Sequence, residues 1–230
     1  MKQAMTKGTA LKSLVVAASL TGLAAVSSNS YAEMGLNGQF SGNVSATSTY
    51  VWRGVAQTFG AAVQGGVNYN DQSGLHGGLW TSNALAANEL DLIFGFGGKA
   101  AALSYDVGAI FYQYSEYVDL PGTPSPNFEE IYANVSQGQF SAQVSTSSDN
   151  GLYIEVAGTF PVKSWDMTAH FGHYNVKDDN KLGITDDYAD YNVTFKKDMQ
   201  NFDLSFFLGD TDIKGDDFRT VVSVTKNFNL

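Results

Sequence analysis

The 230 residues of this chain carry 23 acidic and 13 basic side chains, three histidines and no cysteine. A formal net charge of −10 disfavours a nucleic-acid-binding protein, because such a protein needs a basic face. The lack of cysteine excludes disulfide bonds, a thiolate nucleophile and a cysteine-based metal site.

Residues 1–32 have the layout of a secretory signal peptide. Three lysines precede an apolar run at 14–26, and the segment ends with small residues at Ser30 and Ala32. Because a signal peptidase accepts small residues at these two positions, we predict cleavage after Ala32. The apolar run is shorter than the roughly 20 residues that a membrane-spanning helix requires. The mature chain is then 33–230, with 10 basic and 23 acidic residues and a net charge of −13.

From residue 40 onward, apolar and polar residues alternate in runs of about ten, the length that a tilted strand of a membrane barrel needs. Alternate residues of a strand point to opposite faces. In the first run Phe40 and Val44 share one face, and Ser41 and Asn43 share the other. Twelve runs are predicted as strands: 40–52, 59–69, 74–83, 89–96, 103–112, 128–136, 139–147, 152–160, 165–171, 187–197, 202–208 and 221–230.

The connections between these runs favour a barrel. An even strand number is typical of single-chain bacterial barrels, as are short periplasmic turns that alternate with longer outer loops. The longer loops are predicted at 115–127, 175–186 and 210–217. We therefore predict an all-β fold, an antiparallel transmembrane β-barrel of about 12 strands with both termini periplasmic.

The alternative is a soluble, secreted β-sandwich or barrel, whose strands also alternate. Two features weigh against it. The second face of nearly every strand is polar, which leaves too few apolar residues for a soluble core. Aromatic residues also cluster near strand ends, as in the interface girdles of membrane barrels. These residues are Tyr50, Trp52, Tyr69, Phe111, Phe160, Trp165 and Tyr188.

Several sequence blocks resemble one known family. The first are YVWRGVAQT at 50–58, QGGVNY at 64–69 and SGLHGGLWTSN at 73–83. Weaker blocks follow at 89–91, 105–108, 128–132, 170–174 and 219–226. Together they are similar to the TorF-type porins across essentially all of the mature chain. The resemblance implies a bacterial outer-membrane β-barrel but no defined substrate.

The polar faces collect charge of one sign, and these residues are the predicted pore lining. With the alternation above, eight acids and two arginines form this lining: Glu89, Asp91, Asp106, Glu130, Glu155, Asp166, Asp190, Asp203, Arg53 and Arg219. Lys196 is a further basic residue opposed to these acids. If the last strand pairs with the first, Arg53 and Arg219 become neighbours near the outer rim and form a basic patch. Pore-lining charges set ion selectivity. We therefore expect passive diffusion of small polar or cationic solutes, although the same charges would also fit a plugged lumen.

Two other functions stay open at this stage. A barrel enzyme needs a nucleophile, a base and an orienting group within reach, and the spacing of His76, His170 and His173 provides no such set. We therefore predict neither an enzyme nor a metal or cofactor site. A closed structural or receptor barrel would bind a partner through its outer loops. Asp178 and Asp179 offer oxygen ligands for Ca²⁺, but their spacing matches no EF-hand loop, which favours a solvated loop.

The expected surroundings of the chain follow from this fold. Its partners would be outer-membrane lipid and small polar solutes, without nucleic acid. An oligomer of barrels is compatible with the sequence, which does not decide it.

Overall fold

The computed structural model of the chain describes residues 38–84, 87–115 and 125–230. The predicted signal segment lies outside these residues. The strands, numbered in chain order, are β1 (Gly38–Thr47), β2 (Val51–Trp52), β3 (Val55–Ala56), β4 (Ala62–Asp71), β5 (Leu75–Asn83), β6 (Asn88–Ala100), β7 (Leu103–Ser115), β8 (Phe128–Gln137), β9 (Phe140–Ser147), β10 (Gly151–Val162), β11 (Trp165–Val176), β12 (Tyr188–Asp198), β13 (Asp203–Thr211) and β14 (Arg219–Asn229). No helix in the described ranges is long and apolar enough to cross a membrane.

Twelve of these strands form one closed antiparallel barrel, which confirms the predicted fold class and strand number. Each strand from β4 to β14 pairs with its neighbours along the chain, and β1 closes the barrel between β4 and β14. The short strands β2 and β3 pair only with each other. We call the end where β1 begins and β14 ends the terminal end, and the opposite end the distal end. Which end faces the periplasm stays a prediction.

The two faces of the barrel wall differ sharply in polarity. On β1, Ser41, Asn43 and Ser45 point inward and are buried, whereas Val44 points outward and is 51% exposed. The same alternation places Ile131 and Phe94 on the outer surface, at 63% and 58% exposure. Soluble monomers rarely expose contiguous apolar surface on this scale. An apolar exterior around a polar interior is the arrangement that a bilayer stabilises, because lipid covers the outward face.

The predicted bounds of the first two strands, 40–52 and 59–69, are wrong at the distal end of the barrel. The sheet leaves the barrel wall after Thr47 and rejoins it at Ala62, so Tyr50 and Trp52 are not on the outward face. Phe59 lies between strands and is 99% exposed. Arg53 and Gly54 both have positive φ angles, 48° and 78°. This backbone makes the tight hairpin turn that reverses the chain.

The predicted aromatic girdle is likewise wrong for three of its members. Tyr50 and Tyr188 are 7% and 1% exposed because they point into the barrel. Trp52 packs against Tyr112 and Tyr174 inside the barrel instead of facing lipid. The alternation cannot reveal the change at Tyr50 and Trp52, because these residues leave the wall while keeping their parity. Tyr188 stays in the wall, where it shares the inward parity of Asp190 on β12.

The outward face predicts a simple stability test. Val107 lies near the middle of β7 with its side chain outward, 46% exposed. We expect Val107→Arg to lower the free energy of unfolding in lipid vesicles by about 2–4 kcal/mol, because a charged group near the bilayer centre loses its hydration. Denaturant titration of vesicle-reconstituted protein measures the change. Val107→Ile is the matched control and should change little; equal stability of the two variants would contradict an embedded β7.

Candidate functional site

Most of the segment 48–61, which connects β1 to β4, folds into the barrel, whereas Phe59, Gly60 and Ala61 at its end are exposed. Within this segment β2 and β3 form a hairpin with Arg53 and Gly54 at its turn. A Cβ added at Gly54 would lie 2.5 Å from Cγ2 of Thr211 and 2.6 Å from Cβ of Asp190. The turn thus touches β12 and β13, and it also reaches β8 on the far side of the barrel through Arg53. The hairpin therefore crosses the lumen, and we call it the luminal hairpin.

Arg53 fixes the luminal hairpin through a two-point ion pair. Its two terminal nitrogens donate to Oε1 and Oε2 of Glu130 on β8, at 2.7 and 2.8 Å. Both side chains are almost completely buried, at 5% and 1% exposure. The guanidinium carbon also lies 4.3 Å from the ring centre of Trp52 and 4.2 Å from that of Tyr153. Bidentate hydrogen bonds and ring faces together replace the water that the guanidinium loses.

Aromatic and aliphatic side chains fill the space around the hairpin. Trp52 makes edge-on ring contacts with Tyr112, Phe128 and Tyr174. Other distal loops add Leu182, Ile184 and Ile213 to the same clusters. The prediction of a purely solvated loop at 175–186 is therefore wrong for its apolar residues, which pack into the barrel mouth. Three distal loops together close much of this end.

A second ion pair holds the hairpin from the β14 side. Arg219 donates to the backbone oxygen of Gly54 at 2.9 Å and to Oδ2 of Asp216 at 2.6 Å. The Thr211 hydroxyl donates to the same Asp216 oxygen at 2.6 Å. Partial burial alone would raise the pKa of Asp216, but the hydrogen bonds from Arg219 and Thr211 outweigh it and hold that pKa below its usual range.

Both arginines of the predicted basic patch are engaged in ion pairs. Arg53 and Arg219 both contact the luminal hairpin, but each guanidinium is paired with its own carboxylate, Glu130 or Asp216. The Arg53 guanidinium points across the barrel toward β8 because the hairpin turn carries it away from the β1–β14 seam.

The predicted inward acids divide into two groups. Five lie deep in the distal half with at most 2% exposure: Glu89, Asp91, Glu130, Glu155 and Asp190. The other three lie toward the terminal end. Asp106 contacts His76 at 2.6 Å and Asp203 pairs with Lys196 at 2.9 Å, whereas Asp166 is exposed.

One cluster in the lumen was missed from the sequence. Nε2 of His170 lies 3.0 Å from Oε2 of Glu155, and its Nδ1 lies 3.4 Å from Oδ1 of Asp190. The strand register places Glu155 and Asp190 on either side of Gly172, which leaves room for the ring of Tyr153. The sequence feature that could have indicated this cluster is the inward-facing Gly172 between two acids. Recognising it requires the register of three strands, which the sequence alone does not provide.

This cluster lacks the parts of a hydrolytic site. The described hydrogen-bond partners of His170 are two carboxylates, the Tyr153 hydroxyl and the Asn192 amide. A serine, threonine or cysteine nucleophile is not among them, although nucleophilic catalysis requires one beside its base. Within the ranges that the structure describes, no group of three or more His, Asp or Glu side chains is arranged to hold a metal ion.

A family model described as "Bacterial protein of unknown function (Gcw_chp)" matches residues 32–228. The chain belongs to this family. No curated protein sequence matches the Gcw_chp chain. The likeness to TorF-type porins stays a prediction.

Solved structures similar to this Gcw_chp protein are membrane barrels of low sequence identity. It is similar to a KdgM porin with a TM-score of 0.58 at 10% identity, over 83% of this chain and 99% of the porin. A NanC porin gives 0.52 at 8% identity, over 81% and 97%. A chain from a study of in-meso crystallization of membrane proteins gives 0.57 at 10% identity, over 84% of each. At such identities the likeness shows the fold alone, which is that of the porins.

The buried ion pair predicts a large effect of removing one partner. Arg53→Met leaves Glu130 charged and buried without its cation, so we expect the free energy of unfolding to fall by about 3–5 kcal/mol. Removing both charges in Arg53→Met/Glu130→Met should restore part of the loss. Chemical denaturation of the refolded protein measures the complete double-mutant cycle.

The matched control for this cycle is an exposed ion pair of the same chain. Lys177 and Asp179 lie 3.7 Å apart with 46% and 85% of their side chains exposed. We expect Lys177→Met to cost less than about 1 kcal/mol, because water screens such a pair. Comparable losses at Arg53 and Lys177 would argue against the hairpin anchor.

The low pKa of Asp216 predicts a pH dependence. Its folded-state pKa lies below the unfolded value of about 3.9, so the unfolded chain binds the proton more readily. The stabilisation is thus present above about pH 4 and is lost as the pH falls through the folded pKa. Between pH 6 and pH 3 the wild type should lose more stability than Asp216→Asn, as measured by denaturant unfolding at each pH. An identical pH profile for the two proteins would refute the coupling.

Proposed function

We propose that this protein is an outer-membrane porin through which small polar solutes, preferentially cations, diffuse passively. The observation that carries the proposal is the charge of the barrel interior. The distal half encloses five carboxylates, while the cations that the structure places among them are Arg53 and, when protonated, His170. A negative interior lowers the free energy of an entering cation and raises that of an anion. The apolar exterior supports a bilayer location, reached by signal-dependent export.

The proposed pore lining comprises the ten residues predicted from the sequence, with different tasks. Arg53, Glu130 and Arg219 position the luminal hairpin and so set the width of the passage. Glu89, Asp91, Glu155 and Asp190 provide the negative potential beside it. Asp106, Asp166 and Asp203 extend the acidic surface toward the terminal end.

A closed barrel is the second candidate function, because one observation favours it. The luminal hairpin and two further distal loops pack their apolar side chains together in the barrel mouth. A permanently closed barrel would leave the distal loops as its functional surface, which would bind a partner outside the membrane. Only the porin would conduct ions, so a conductance measurement separates the two functions.

Planar bilayer recordings test the proposal. Under a tenfold KCl gradient we expect a reversal potential with the sign of a cation-selective pore. Glu155→Gln/Asp190→Asn should shift this potential toward zero because it removes two negative charges from the interior. Glu129→Gln is the matched control, since Glu129 faces outward on β8 beside Glu130 and should leave selectivity unchanged.

A variant without the hairpin anchor distinguishes a narrow pore from a closed barrel. Arg53→Gln/Glu130→Gln removes the ion pair without leaving a lone buried charge, and it should raise the single-channel conductance. Anion selectivity of the wild type would end the cation proposal. Absence of conductance from both proteins would favour the closed barrel.

A further inference from the structure

Two acids of β6 lie buried in the lumen without a cationic partner. Glu89 and Asp91 are two positions apart, so both point inward, and they are 2% and 1% exposed. Neither forms an ion pair within the described parts of the chain. The nearby cation Arg53 is already engaged, because both of its terminal nitrogens bind Glu130.

The two internal gaps in the described chain supply no counter-ion for these acids. The two gaps in the described chain, 85–86 and 116–124, contain no lysine, arginine or histidine. The distal basic residues Lys181 and Arg219 are paired with Asp149 and Asp216. The negative charge at Glu89 and Asp91 must therefore be balanced by a proton or by a bound cation.

Both carboxylates keep free acceptor capacity. Oε2 of Glu89 and Oδ1 of Asp91 are buried and accept no hydrogen bond. The Tyr50 hydroxyl donates to the other Glu89 oxygen at 3.3 Å. A buried carboxylate oxygen without a donor is costly, and two adjacent like charges add to that cost. A cation that brings N–H donors would remove both penalties at once.

Aromatic rings flank the two acids. Cross-strand pairing places Asp91 directly between Trp80 of β5 and Tyr112 of β7. Tyr50 of the loop that leads into the luminal hairpin covers the group, with its ring centre 5.3 Å from that of Trp80. Ring faces attract cations that carry little hydration, and carboxylates provide the charge. This combination recognises an organic cation.

A metal ion fits the same group less well. Hard metal ions take six or more oxygen ligands, or four ligands in the zinc geometry. In the part of the chain that is described, no cluster of three or more His, Asp or Glu side chains meets such a geometry. Among the aromatic side chains around the two acids, only the tyrosine hydroxyl groups could act as oxygen ligands.

We propose that Glu89 and Asp91, with Tyr50, Trp80 and Tyr112, form a binding site for a small organic monocation of the alkylammonium or guanidinium class. The site deepens the proposed function, on which it rests: it lies beside the luminal hairpin and holds a cationic solute in transit. A bound monocation supplies one of the two missing positive charges, and a proton on the pair of acids supplies the other. The cation is held through charge-assisted hydrogen bonds and ring faces.

Equilibrium dialysis with labelled methylguanidinium tests the site on the full mature chain in detergent. We expect saturable binding at one site at pH 7. Asp91→Asn and Glu89→Gln should each weaken it about tenfold or more, which corresponds to the loss of one charge-assisted hydrogen bond. Trp80→Leu keeps both charges and should weaken binding several-fold by removing a ring face. Glu129→Gln, an outward-facing acid on β8, should bind like the wild type.

Thermal unfolding gives a second readout that needs no labelled probe. Methylguanidinium should raise the unfolding temperature of the wild type and of Glu129→Gln but leave that of Asp91→Asn unchanged. Heat-dependent gel mobility verifies that each variant forms a folded barrel. If Asp91→Asn does not fold, the comparison of Trp80→Leu with the wild type decides the question.

The outcomes separate this site from the proposed diffusion function. A cation-selective conductance without saturable methylguanidinium binding overturns the site and leaves the diffusion function intact. Binding without conductance supports the site and refutes diffusion. Equal binding by the wild type and Asp91→Asn overturns the site, and so does an unshifted wild-type unfolding temperature, which would mean that a proton balances the two acids.

Discussion

A guanidinium group inside a barrel is stable only if other groups replace all of its lost hydration, and Arg53 meets this condition. Glu130 binds both of its terminal nitrogens, and the rings of Trp52 and Tyr153 cover its faces. The rest of the lumen depends on this pairing. It carries the luminal hairpin across the barrel, brings Tyr50 over the acids of β6 and leaves those acids without a counter-charge. One ion pair therefore determines which side chains fill the distal half of the barrel.

The barrel itself was predictable because its constraint is local and repeats every two residues. Val44 and Ser45 must face different solvents, and that difference is visible in the sequence at every strand. The luminal hairpin was not predictable in the same way. Tyr50 and Trp52 continue the alternation of β1, so their departure from the wall depends on the turn at Arg53 and on partners more than 70 residues away. Glycine after arginine was the one local hint.

The interior acids illustrate the same division. Parity alone identifies Glu89, Asp91 and Glu155 as inward residues, and the structure places all three inside the barrel. Their partners follow from the strand register, which parity does not provide. Glu155 contacts His170 because the register sets Glu155 opposite Gly172, two residues from His170 on the same face of β11. The sequence of a single strand thus determines whether a side chain points into or out of the barrel. Its charge partner depends on the neighbouring strands and on the luminal hairpin.

The distance along the chain between the hairpin and its anchors has a consequence for assembly. Gly54 accepts its hydrogen bond from Arg219, which lies 165 residues later, and Tyr188 donates to the backbone of Arg53 across 135 residues. Contacts between such distant segments form late in folding, because long loops must close first. The pairing of β1 with β14 joins residues even further apart, such as Ser41 and Asn229. The hairpin therefore gains its contacts with β12 and β14 only when the last strands of the chain are in place.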